Sequence, residues 1–121
     1  MSDTFRVLVV DDDILVASSV ARVVETMGCA IVGPCFSLGQ ARDAARSLPL
    51  DAALLDVNLG RELVYPLAAD LQAQKIPFAF LTGMRPRDIP PAFASIPVLP
   101  KPCADRDIAS WVLAFRRRRA P

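Results

Sequence analysis

An α/β domain built on a parallel sheet is the fold class this sequence predicts, and three observations predict it. Short hydrophobic runs alternate with segments of helical periodicity along the whole chain. The first run, Phe5–Val10, has the length and valine content of a buried strand. Successive runs end in groups able to bind or carry charge: Asp11-Asp12-Asp13, Asp56, Thr82 and, after a short run, Lys101. In an open parallel sheet the ligand site lies outside the carboxyl ends of the strands, so these groups are expected to share one crevice. At 121 residues with 53% hydrophobic composition, the chain is expected to form one domain over residues 1–121.

The elements follow in order. After the first strand, Ile14, Ala17, Ala21, Val24 and Met27 recur at helical spacing over Ile14–Met27, with Asp12 or Asp13 as N-cap and Gly28 past the end. Ala30–Gly33 is a short second strand. Ser37-Leu38-Gly39-Gln40 has the form of a capping box and opens a helix to about Leu48, before Pro49. Ala52–Asp56 is the third strand. The third helical pattern runs from Arg61 to Gln74. A proline inside a helix costs about 3 kcal/mol, but little in the first turn. Pro66 therefore places the regular helix near Tyr65, after an irregular segment from Val57 to Val64. Phe78–Thr82 is the fourth strand and Pro97–Leu99 a weak fifth. Between them Met84–Ile96 carries Pro86, Pro90 and Pro91 and is expected to be a loop with at most a turn or two near Pro91–Ala94. The closing helix spans Asp105–Arg118, with Ile108, Trp111, Val112 and Phe115 on one face, and Pro121 beyond it reads as a domain edge.

Composition removes several function classes. With no histidine, the chain has no His-based general base, no common zinc site and no phosphohistidine of its own. Cys29, Cys35 and Cys103 are odd in number and lack C-x-x-C spacing, which favours reduced thiols. A net charge of +1 gives no global field for nucleic acid, and the Arg116–Arg119 run reads as solvated surface compatible with a helix C-terminus. No run approaches the roughly 18 apolar residues of a membrane span. The opening Met1-Ser2-Asp3-Thr4 lacks a signal-peptide pattern, so a cytoplasmic location is expected.

The strand-end groups suit a divalent cation together with a phosphoryl group. A carboxylate attacking phosphorus forms an aspartyl phosphate, but attacker and target are both anionic. Like charges 4 Å apart repel by roughly 4 kcal/mol at an effective dielectric of 20. Mg²⁺ offsets this and typically takes one or two protein carboxylates plus water. The adjacent Asp11-Asp12 pair suits that holding role, and Asp56, alone on its own strand end, suits attack. Lys101 offers a point charge for the product phosphate, Thr82 a hydroxyl, and Asn58 a main-chain carbonyl for the metal.

At Val9-Val10-Asp11-Asp12, Leu54-Leu55-Asp56, Leu81-Thr82-Gly83 and Pro100-Lys101-Pro102 the chain resembles the receiver domain of two-component response regulators. The four motifs stand in the family's order and nearly its spacing, and cover essentially the whole chain. The resemblance implies a flavodoxin-like, doubly wound, five-stranded parallel sheet of order 2-1-3-4-5 and a cis Lys101–Pro102 bond. It implies Mg²⁺ held by Asp11, Asp12, Asp56 and Asn58, and Asp56 as phosphoacceptor. Thr82 matches the family's hydroxyl switch residue and Lys101 its phosphate-contacting lysine. The donor would be a histidine kinase or a histidine phosphotransfer protein, and output would pass to a further protein. The chain departs from the pattern in two places that serve readout. Val98 stands where the family usually carries an aromatic residue three positions before the lysine, and the fourth helix is shortened or replaced by a proline-rich loop.

The expected protein is thus a stand-alone phosphorylation switch. It would not be an enzyme in the ordinary sense, catalysing only its own phosphorylation and dephosphorylation. The alternative is an interaction module that keeps the fold without the phosphate chemistry. A metal-dependent phosphatase using Asp11 and Asp13 is a remote third, since Leu15 stands where such enzymes usually carry threonine or valine and no cap insertion is visible.

Overall fold

The computed structural model describes residues 4–119, so residues 1–3, which open the chain, and Pro121, the expected domain edge, lie outside the described residues. Five parallel strands form one sheet: β1 (Arg6–Val10), β2 (Ala30–Cys35), β3 (Ala52–Asp56), β4 (Phe78–Thr82) and β5 (Val98–Pro100). Their spatial order is 2-1-3-4-5, the doubly wound arrangement expected from the sequence. Four helices cover it: α1 (Ile14–Thr26), α2 (Leu38–Ser47), α3 (Tyr65–Ala73) and α4 (Asp105–Arg119). No helix among the described residues is long and apolar enough to cross a membrane.

Strand periodicity divides the core in two. Leu8, Val10, Ala53, Leu55, Phe78 and Phe80 face one side with α2 and α3. Val7, Val9, Ala52, Leu54, Ala79 and Leu81 face the other, with Val20, Val24, Ile108, Val112 and Phe115 of α1 and α4. Both faces are thus covered, which is why β1, β3 and β4 read as unbroken apolar runs. The chain winds outward in both directions from β1 and β3, leaving a crevice at their carboxyl ends.

Local chemistry sets the helix ends. Asp13 caps α1, accepting the N–H groups of Leu15 and Val16, and Gly28, at φ +81°, follows the Met27 cap. Ser37 caps α2 by accepting from Gln40 N–H at 3.1 Å. The Gln40 side chain reaches back to Phe36 N–H, one residue before the cap. In α3 Pro66 occupies the first turn, where its missing donor costs nothing.

The structure corrects the sequence reading at several points. β2 continues past Gly33 to Cys35 through a cis Gly33–Pro34 bond, with a register shift between Leu8 and Val10 on its neighbour. β5 lies one residue later than expected, at Val98–Pro100. The segment after Asp56 is not irregular. It forms a two-stranded antiparallel hairpin, Asn58–Leu59 against Glu62–Leu63, and Val64 N–H then donates to Val57 O at 2.9 Å. Ile14 is exposed rather than packed, because the first turn of α1 belongs to the rim of the crevice. Trp111 is only half-buried beside a fully packed Phe115. Arg116 is not simply solvated: it donates to Met27 O at 2.8 Å and lies 5.8 Å from the centre of the Phe5 ring.

The proline-rich connection from β4 to β5 replaces a full helix with two single 3₁₀ turns, Pro86–Asp88 and Pro91–Phe93. The second lies where a turn was expected, and the first lies earlier than expected. Three prolines remove the donors a helix there would need. Buried Ile89 and Phe93 instead anchor the connection to the α2/α3 side of the core.

Candidate functional site

The crevice gathers the strand-end residues the sequence singled out. Asp11 follows β1, and its position is fixed twice. Its N–H donates to Cys35 O at 3.0 Å, and its carboxylate accepts Asp13 N–H at 2.9 Å. Asp56 ends β3, and parallel pairing sets it beside Leu81, immediately before Thr82. Lys101 follows β5, where its N–H donates to Thr82 O at 3.0 Å and the cis Lys101–Pro102 bond follows, as expected.

Three side chains then converge from positions far apart in sequence. The Lys101 ammonium donates to Asp11 Oδ2 at 2.7 Å and sits 3.4 Å from Asp56 Oδ2. One carboxylate oxygen each of Asp11, Asp12 and Asp56 lies within 4.8 Å of the others. Asp11 and Asp56 are buried while Asp12 is exposed at the mouth. Burial is the first cause that pushes the Asp56 carboxyl up to about 7, the Asp11 charge the second. Lys101 and a hydrogen bond from the Asn58 main chain pull the other way. For Lys101, burial works against the charged form, but Asp11 and Asp56 outweigh it and hold the ammonium above the usual lysine range.

These residues fit a divalent cation. Around octahedral Mg²⁺, with bonds of roughly 2.1 Å, neighbouring oxygens stand about 3.0 Å apart and opposite ones about 4.2 Å. The three carboxylate oxygens, within 4.8 Å of one another, would draw inward onto a shared ion. Asp56 is raised first by burial and then by the Asp11 charge, and a bound cation would oppose both.

Thr82 is buried, and its hydroxyl oxygen accepts Met84 N–H at 3.1 Å, tying β4 to the start of the proline-rich connection. Asn58 stands in the first strand of the hairpin with its side chain exposed. Asp13, the acid a phosphatase would need, is exposed and committed to capping α1.

Two supporting groups were missed. Gly60 N–H donates to Asp12 Oδ2 at 2.9 Å, so the hairpin turn holds the outer acid. Gly60, at φ +66°, is the first central residue of a two-residue turn, where glycine is favoured. The Cys35 carbonyl holds Asp11, and a Gly-Pro pair inside a strand-like run is the sequence signal of the irregularity that brings it there.

No family model and no curated protein matches the sequence, but solved structures do. SdrG from Sphingomonas melonis Fr1 is 34% identical, with 97% of this chain and 99% of that chain covered and a TM-score of 0.79. The BeF3-activated conformation of SdrG, from Pseudomonas melonis Fr1, is also 34% identical, covering 95% and 98%, with a TM-score of 0.75. A CheY-like response regulator receiver domain protein from Methanospirillum hungatei JF-1 shares the fold at a TM-score of 0.83 and 19% identity, over 96% of each chain.

Proposed function

This chain belongs to the receiver-domain family of response regulators, and from that membership we propose that it is a phosphorylation-controlled signalling switch with Asp56 as phosphoacceptor. One observation carries the reading: Lys101, Asp11 and Asp56, from three strand ends, meet within hydrogen-bonding or ion-pairing distance, with Asp12 beside them.

In this reading Asp11, Asp12, Asp56 and the Asn58 main-chain carbonyl hold Mg²⁺. The bound metal supplies positive charge that lets an anionic carboxylate approach an anionic phosphoryl group. An Asp56 oxygen attacks phosphorus of a phosphohistidine on a histidine kinase or histidine phosphotransfer protein. The new O–P bond forms as the P–N bond breaks, and the leaving imidazole nitrogen takes up a proton. Lys101 moves from its carboxylate partners onto a phosphoryl oxygen, and Thr82 turns its hydroxyl toward another. The switch acts on no substrate but itself, and its output passes to another protein through the connection between β4 and β5.

Incubation with Mg²⁺ and a small phosphodonor, followed by intact mass, tests this. A phosphoryl adduct is expected, lost in Asp56→Asn and without Mg²⁺. Val98 and the two 3₁₀ turns that stand in place of a helix between β4 and β5 favour a second reading, a phosphate-independent interaction module. An unmodified parent chain would support it instead.

A further inference from the structure

Tyr65, the only tyrosine of the chain, carries a hydroxyl that is buried and has no hydrogen-bond partner among the described residues. Buried polar groups are nearly always paired, and an unpaired one costs free energy in the state that contains it. Its surroundings connect it to the switch. The ring stacks on Phe93 with centroids 5.4 Å apart and planes 13° apart, and meets Phe80 edge-on at 6.0 Å. Phe93 belongs to the second 3₁₀ turn of the β4–β5 connection. Phe80 lies two residues before Thr82, on the same face of β4. Val98 is the register partner of Phe80 on β5, so a small side chain stands beside the ring that Tyr65 and Phe93 cover. Gln72, also on α3, donates to Ala92 O at 3.3 Å, a second tie from the same helix to the same turn.

We propose that Tyr65 is the transmitting ring of this receiver, its hydroxyl unpartnered in the resting state and hydrogen-bonded once Thr82 turns toward the occupied Asp56. The movement of Thr82 withdraws the acceptor of Met84 N–H, which frees the start of the connection to shift. The Tyr65–Phe93 stack shifts with it, and the tyrosine hydroxyl reaches a group exposed by that rearrangement. Resting and switched states then differ by one satisfied hydroxyl, the differential interaction that a population shift requires. The inference rests on Asp56 being the phosphoacceptor and adds which residue reads it.

A single tyrosine allows a direct test. Protein labelled with ¹³C at the tyrosine Cζ gives one NMR resonance, followed as Mg²⁺ and beryllium trifluoride, a phosphoryl mimic, are added. The resonance is expected to move from a free to a hydrogen-bonded hydroxyl, and amide exchange across residues 84–96 to change with it. Tyr65→Phe is expected to bind the mimic about five- to tenfold more weakly and to lose the exchange response. It should unfold no more easily than the parent when the mimic is absent. Phe93→Leu, which breaks the stack but keeps the hydroxyl, should lose the response across 84–96 while still taking the phosphoryl mass. A Cζ resonance already hydrogen-bonded at rest, or Tyr65→Phe responding like the parent, overturns the inference and leaves the phosphoacceptor reading intact. A parent chain that takes neither mimic nor phosphoryl mass overturns both.

Discussion

Asp56 is held where its charge is costly, and the sign of its pH dependence follows. In the unfolded chain its carboxyl ionises near the ordinary value of 3.8; in the fold it holds its proton up to about 7. Between these values the unfolded state has released a proton that the folded state keeps. The contribution of Asp56 to stability is therefore full at low pH and is lost as pH rises toward 7. Asp56→Asn removes the group that titrates. Without Mg²⁺ the variant should be more stable than the parent by on the order of 2 kcal/mol at pH 8, with the gap shrinking toward zero at pH 4. Urea unfolding of both proteins across that range is the measurement; a gap independent of pH would contradict the assignment of burial and Asp11 as the causes. The same residue was legible in sequence because it stood alone at the end of an apolar run. Tyr65 was not, because an aromatic at a helix start looks like any core residue until its hydroxyl is seen to lack a partner.

At the level of elements, what the sequence revealed followed periodicity and punctuation. Ser37, Asp13 and Gly28 marked helix ends correctly because caps are local chemistry. Pro66 located the start of α3 for the same reason. The hairpin after Asp56 escaped because its strands are two residues long, too short for any alternation to register. The extension of β2 escaped because Gly33-Pro34 reads as a strand stop, whereas the pair bends the strand and lets Cys35 pair with Val10. That bend is exacting. Gly33 has φ +97°, and a Cβ there would stand 2.6 Å from Cys35 N. Gly33→Ala should destabilise the fold by roughly 2 kcal/mol or more. Because Cys35 O holds Asp11, it should also weaken Mg²⁺ binding, as isothermal titration would read. Unchanged Mg²⁺ affinity in a folded Gly33→Ala protein would separate the bend from the site.

For the whole molecule, the two cores on opposite faces share the central strands β1, β3 and β4, so unfolding should be a single cooperative transition. Mg²⁺ at about 100 times its dissociation constant adds roughly 2.7 kcal/mol to a fold that binds it, on the order of a 10 °C rise in Tm. Calorimetry with and without the metal should find that rise in the parent and its loss in Asp11→Asn; equal shifts in both would remove Asp11 from the metal. The Lys101–Asp11 contact joins residues 90 positions apart. A chain still leaving the ribosome, or one clipped before β5, has its acids but not the ammonium that balances them. In such a chain the carboxylates cluster with no internal cation among them, so the last strand to arrive completes the charge balance of the crevice.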